Sequence, residues 1–266
     1  MLVVGAVAYA PRAVSIWEGI RDYFTAAPEP MDYVLFSNYE RQVEALLAGQ
    51  IDIAWNTNLA WVRTVRRTEG RCAALAMRDT DLGYRTLLVC RAGEGLAGPG
   101  ALEGRRLALG SRDSAQAAIL PLHYLERTGV DLGRVTLVRF DTDVGKHGDT
   151  GASELHAMRA VLAGEADAAA VGVSTWEAPS LREELTSRLD PFWESPGYCH
   201  CNFTALEALP AERRAAWTAH LLAMDWDDPD HRPILEMEGL RRWVRPELEG
   251  YTALFEATGG LPAGRG

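Results

Sequence analysis

The chain has 266 residues, with 37 acidic against 27 basic side chains and a formal net charge of -10. No basic block rises against that acidity, which excludes a nucleic-acid partner and an anionic membrane surface, and no stretch approaches the roughly 18 apolar residues needed to cross a bilayer. Two lobes of roughly 100 residues each fit the length, while four cysteines (Cys72, Cys90, Cys199 and Cys201) are too few for a secreted disulfide framework, so reduced thiols are expected.

The first element is a strand over 2–8, too short and too β-branched for a signal sequence and without a basic start. As written, the chain is therefore expected to be cytoplasmic, or periplasmic or extracellular if an export signal upstream is missing. Helical spacing follows over 14–24, then a strand at 32–36, a cap at Ser37-Asn38 and a helix over 39–48. A strand over 51–55 ends in Asn56-Thr57-Asn58, ahead of a helix at 59–67, and strands are predicted at 72–78 and 86–91. Residues 93–104 hold five glycines and a proline and mark a boundary. The pattern then restarts: strand 106–109, polar turn 110–114, helix 115–127, strand 135–140, helix 153–163, strand 166–171. An irregular stretch runs to residue 198, three helices are predicted at 211–224, 233–244 and 246–257, and the end from Gly259 reads as frayed.

The restart is visible in the residues. Leu46-Leu47-Ala48-Gly49-Gln50-Ile51-Asp52 returns 115 positions later as Val161-Leu162-Ala163-Gly164-Glu165-Ala166-Asp167, each copy a helix end followed by a buried strand. The expected class is α/β: two lobes with mostly parallel sheets, helices on both faces and a ligand cleft between them. Residues 1–91 with 196–266 form the first lobe and 92–195 the second, with crossings near 88–95 and 175–200.

The order of Val7-Ala8-Tyr9-Ala10-Pro11, the repeated Leu-Ala-Gly-x-x-Asp, the turn Gly110-Ser111-Arg112-Asp113-Ser114 and His200-x-Asn202-Phe203-Thr204 resembles the type II periplasmic binding proteins, and among them the phosphonate and phosphite binding proteins of ABC importers. The resemblance covers most of residues 1–225. It implies two α/β lobes closing on a small molecule, with an ABC permease as partner only where an export signal has been omitted. Cytoplasmic enzymes share the scaffold, among them the thiamine-pyrimidine synthases and the chorismate dehydratase of menaquinone synthesis, so fold alone does not settle function.

Ligands of open α/β sheets bind at the carboxyl ends of strands. Four loops qualify: Tyr9 with Ala10; Ser37-Asn38-Tyr39; Asn56-Thr57-Asn58; and Ser111-Arg112-Asp113-Ser114. Helix capping alone accounts for Ser37, Asn56 or Ser111 taken singly, but four such loops favour a small anionic organic ligand, with Trp55, Trp61 and Tyr39 against its organic part. Arg78-Asp79 reads as an anion fork or, more simply, as a local ion pair. In the Gly-rich loop 141–151, the resemblance implies that His147 faces the ligand, while Lys146 could neutralise an anion and His147 could move a proton. The glycine spacing matches no nucleotide-binding fingerprint.

Tyr198-Cys199-His200-Cys201-Asn202 is the densest group of potential ligands. In an extended segment Cys199 and Cys201 share a side opposite His200, which disfavours one metal on all three. Zinc or ferrous iron held by Cys199, His200 and Cys201, or by the two thiolates with His147 or Asp149, is the alternative to hydrogen bonding by Tyr198, His200 and Asn202 with the cysteines packed as apolar groups. His123, His156, His220 and His231 read as structural. The sequence thus favours a binding protein that needs no cofactor. The alternative is an enzyme on the same scaffold, performing elimination, decarboxylation or metal-dependent oxidative rearrangement with His147 and His200. Nothing in the chain marks a sensing protein with a dedicated partner surface.

Overall fold

The computed structural model describes residues 1–259, and the tail expected to fray lies outside them from Gly260 on. In chain order the elements are β1 (Leu2–Val7), α1 (Arg12–Tyr23), β2 (Met31–Phe36), α2 (Tyr39–Leu47), β3 (Ile53–Asn56), α3 (Asn58–Arg67), β4 (Cys72–Arg78), β5 (Thr86–Arg91), β6 (Arg106–Leu109), α4 (Leu120–Arg127), β7 (Thr136–Arg139), α5 (Ala152–Ala163), β8 (Ala168–Gly172), α6 (Val173–Trp176), β9 (Leu189–Glu194), β10 (Asn202–Leu206), α7 (Ala211–Leu222), α8 (Arg232–Glu238), β11 (Trp243–Val244) and α9 (Thr252–Ala257). A π-helical turn, Ala115–Ile119, leads into α4.

The described chain forms two units, 1–83 with 199–252 and 84–198 with 253–259. The passages fall at Gly83–Tyr84 and Tyr198–Cys199, so the first lies ahead of the expected 88–95. The reason is pairing: β5 bonds along its length to β8 and β9 and belongs wholly to the second sheet.

In the first unit six strands run in the order β11-β4-β10-β3-β1-β2. β1 is parallel to β2 and β3, whereas β10 is antiparallel to both β3 and β4, and β11 is antiparallel to β4. The second sheet, β7-β6-β8-β5-β9, repeats this design: β6 is parallel to β7 and β8, and β5 is antiparallel to β8 and β9. Each sheet is therefore mixed and not mostly parallel. A strand reached by a crossover helix runs parallel to its neighbour, while β5 and β10 arrive by passage from the other unit and insert in the opposite sense.

The repeated sequence has the same physical job in both units. Gly49 and Gly164 take left-handed φ values of 68° and 78°, ending α2 and α5, and the next N–H reaches back five residues, Gln50 to Ala45 O and Glu165 to Ala160 O, both at 2.9 Å. Asp52 then accepts the Val3 N–H at 2.7 Å while its own N–H donates to Val3 O. Asp167 does the same to Arg106, also at 2.7 Å. Each aspartate pins the start of its unit's central strand, which is why the pattern ends in Asp before a buried run.

The first core is aromatic. Fully buried Trp217 of α7 stacks on Phe24 at 5.3 Å and meets Phe203 of β10 at 4.9 Å, and Phe203 also contacts Trp55 at 4.6 Å. The second core is aliphatic: Leu88, Leu102, Leu107, Leu109 and Leu125 pack on one face of the sheet, and Val89, Met158, Val161 and Val171 on the other.

Three expected elements differ. The helix foreseen at 233–244 stops at Glu238, where Gly239 turns left-handed at φ 79°, and Trp243–Val244 pairs with β4 instead. Of the helix foreseen at 246–257 only α9 is α-helical. A 3-10 turn, Leu248–Tyr251, precedes it, and Gly250 there packs so closely on Cys199 that a Cβ would collide with it, its carbonyl drawn out to the Cys199 N–H at 2.9 Å. Within the irregular stretch, β9 carries Pro191 at the sheet edge, where a missing N–H is tolerated.

Candidate functional site

In the first unit the loops after β1, β2 and β3 behave differently from one another. Tyr9, 38% exposed, opens onto a narrow cavity of ≈ 40 Å³ shared with Arg12, Trp17, Trp55, Arg78 and Glu238. After β2 the cap is Asn38, which accepts the Arg41 N–H at 2.9 Å, while Ser37 is exposed. Tyr39, placed with the ligand by the sequence, is fully buried in an apolar cluster with Val7, Val43 and Ala60. As the first residue of α2 it packs between β1 and α3. After β3, Thr57 caps α3 by accepting the Ala60 N–H, and Asn56 Oδ1 accepts from Gln42 Nε2 at 2.9 Å. Asn56 Nδ2 is buried with no hydrogen-bond partner among the described residues, which leaves one donor at this strand end.

The segment read as a possible metal centre is organised by a residue the sequence did not single out. Asp81, 1% exposed, accepts Arg78 Nε at 2.7 Å and Nη2 at 2.9 Å, and lies 3.3 Å from His200 Nδ1, which is 3.1 Å from Cys201 Sγ. The alternation expected of an extended strand is broken here, since adjacent His200 and Cys201 meet. Asp81, His200 and Cys201 are close enough to surround an ion, but the Arg78 fork takes both Asp81 oxygens, and a divalent cation would sit against a guanidinium. The donor set fits a buried ion-pair network and does not fit a metal. Burial alone would raise the Asp81 carboxyl; the Arg78 charge, with the His200 hydrogen bond, reverses this and holds it well below the usual carboxylate range. Arg78 also lies over Trp55, 5.3 Å from the ring. The ion pair is with Asp81 and not with the neighbouring Asp79, whose carboxylate accepts the Arg241 N–H.

Cys199 stands apart from this group, its thiol donating to Glu247 O at 3.2 Å and pushed up to about 11 by burial. Asn202 is structural: its Nδ2 donates to Tyr251 Oη at 2.9 Å and its Oδ1 accepts from Thr204 at 2.7 Å. Trp61 packs on Tyr251 in the interior.

In the second unit the strand ends converge. Ser111 is buried, its hydroxyl donating to Thr142 O, and Arg112 pairs with Asp141, so this turn and the 141–151 loop are tied together twice. Asp113 accepts the Gly145 N–H, and Ser114 caps the π-helical turn by accepting from Ala117 N at 3.1 Å. His147 is buried and holds a left-handed φ of 53°, a conformation costly for a non-glycine residue. Gly148 beside it approaches so closely that a Cβ would collide with Ser114 Oγ and Gln116 Nε2, and Gly172 approaches Tyr84 and Gln116 in the same way. Tyr198 Oη meets Thr86 Oγ1 at 3.0 Å, and burial raises its phenol well above the ordinary value.

Four residues that sequence reasoning passed over complete this cluster. Tyr84 bonds Ser174, Glu154 accepts the Gly172 N–H at 3.2 Å, and Gln116 and Ser153 are buried polar side chains. Asp113 Oδ1, Gln116 Oε1 and Ser153 Oγ have no hydrogen-bond partner among the described residues. Ser153 and Glu154 read as an ordinary helix start, and only the approach of Gly110 and of β8 gives them neighbours. Of the remaining histidines, His156 Nδ1 lies 2.9 Å from Thr142 Oγ1, His123 is 3.5 Å from Glu256, and in the first unit His220 stacks on Tyr23.

Residues 6–251 match the family of phosphonate ABC-transporter periplasmic substrate-binding proteins. The chain belongs to this family. No curated protein matches it in sequence. Among solved structures it is similar to PhnD1 from Prochlorococcus marinus in complex with methylphosphonate, at 21% identity and TM-score 0.73 over 96% of each chain. It is also similar to XAC2383 from Xanthomonas citri bound to ATP, at 15% identity and TM-score 0.73 over 98% of this chain and 96% of that one. A binding-protein component of an ABC phosphonate transporter from Pseudomonas aeruginosa matches at 15% identity and TM-score 0.68, over 97% of this chain and 85% of that one. These structural likenesses establish the fold alone, that of the two-lobed periplasmic binding proteins. Family membership favours the substrate-binding reading over the enzymatic one. It also speaks against the cytoplasmic placement, since the family is periplasmic, and among the described residues no helix is long and apolar enough to cross a membrane.

Proposed function

We propose that this chain is the ligand-binding component of an ABC importer, acting in the periplasm, passing its cargo to a permease and binding a small organophosphonate without a cofactor. The observation that carries the reading is the cluster at the strand ends of the second unit: Asp113, Gln116 and Ser153 present polar atoms that are buried yet have no hydrogen-bond partner among the described residues. Buried polar groups are almost always satisfied, so three at one place are what a site for a polar molecule requires. The backbone there is also drawn unusually close at Gly148 and Gly172. In this reading His147 and His200 bind or brace and perform no chemistry.

Calorimetric titration of the purified protein with methylphosphonate tests this. Saturable 1:1 binding, accompanied by a rise in melting temperature that grows with ligand concentration, is expected. Absence of both, for methylphosphonate and for longer alkyl- and aminoalkylphosphonates, would refute it.

A further inference from the structure

Asp113 is an unexpected residue for a turn that receives an anion. Its side chain is 6% exposed, Oδ2 accepts the Gly145 N–H, and Oδ1 has no hydrogen-bond partner among the described residues. A ring nitrogen of His147 is within 4.8 Å. Two donors of the same turn are committed elsewhere: the Ser111 hydroxyl donates to Thr142 O, and the Arg112 guanidinium holds Asp141. A fully ionised oxyanion entering here would set its lone pairs against those of Oδ1, two acceptors with no proton between them. A ligand that brings its own proton removes both the repulsion and the unsatisfied acceptor.

We propose that Asp113 is a specificity-determining residue that admits only oxyanions bearing an acidic proton, so that a phosphonate binds as its singly protonated form and a sulfonate of the same shape is rejected. This rests on the reading that an alkylphosphonate docks at this turn. The ligand P–O–H donates to Asp113 Oδ1, and another phosphonate oxygen accepts from Ser153 Oγ, the buried hydroxyl with no partner among the described residues. A sulfonate keeps no proton in the neutral range and leaves Oδ1 unsatisfied. Sites built around a ligand hydroxyl discriminate strongly against analogues lacking it, so the preference is expected to be at least about 100-fold.

The test compares methylphosphonate with methanesulfonate on the full chain, native and Asp113→Asn. Asparagine keeps an oxygen for the Gly145 N–H and turns the Oδ1 position into a donor. The expected result is a preference for methylphosphonate of at least about 100-fold in the native protein, reduced tenfold or more in Asp113→Asn through a gain in sulfonate affinity. Native protein that binds the two within tenfold of each other overturns the inference and leaves phosphonate binding intact, and this outcome needs no variant to fold. A variant that weakens both ligands in equal proportion overturns it as well. Native protein that binds neither overturns the inference together with the reading on which it rests.

Discussion

Replacing Asp81 by alanine should be among the most destabilising single changes in the first unit, although the residue is only a three-residue step from its partner in a short turn. Asp81 is 1% exposed and accepts two hydrogen bonds from Arg78, itself 20% exposed, with His200 on the same carboxylate. Breaking a buried pair from one side typically costs 3–5 kcal/mol because the remaining charge is stranded. Here Glu238 Oε1 stays 3.5 Å from the guanidinium and part of Arg78 reaches solvent, which places the expectation at about 2–3 kcal/mol. The carboxyl is depressed in the folded protein, so its contribution is present above the unfolded value of about 3.9 and is lost as pH falls toward the folded one. Urea unfolding of native and Asp81→Asn protein should therefore differ by a constant amount near neutrality, and the gap should close by about 1.4 kcal/mol per unit below pH of about 3.9. Asp79→Ala, two residues away, whose carboxylate accepts one backbone N–H among the described residues, serves as the control and should cost less than about 1 kcal/mol. An Asp81→Ala cost below about 1 kcal/mol, or a gap that does not move with pH, would refute the buried-network account.

Asp52→Ala and Asp167→Ala each remove a charged acceptor from the start of a central strand and should each cost about 1.5–3 kcal/mol in urea unfolding. Asp167 should cost the more, since it also binds the Arg106 side chain, and a neutral result at either position would deny the repeat its proposed role. Gly148→Ala places a methyl group against Ser114 and Gln116 at a left-handed φ of 85°. It should abolish the thermal shift given by methylphosphonate, and an unchanged shift would separate this turn from the ligand. Burial pushes both Cys72 and Cys199 up to about 11, so at pH 8 the thiolate fraction is about 10⁻³. Ellman's reagent should modify them only slowly in the folded protein, and complete reaction within seconds would contradict their burial.

The sequence alone carried everything that depends on neighbours in the chain. Helix ends at Gly49 and Gly164, the Asn38 cap and the alternation of strands and helices are set by local backbone preference and apolar periodicity, and the shared order of four short motifs was enough to point to the family; the α3 cap fell on Thr57 and not on Asn56. The direction of β5 and β10 was not legible, because the same apolar run serves a parallel or an antiparallel neighbour and only the partner decides. The site divided along the same line. Tyr39 packs on Val7 and Ala60 and Asn202 bonds Tyr251, partners far from them in the chain, while Gln116 and Ser153 gain their neighbours only when distant segments meet. Tertiary structure decided which buried polar atoms find a partner, since hydrogen-bond satisfaction in a protein interior belongs to groups brought together in space and leaves no periodic trace in the chain.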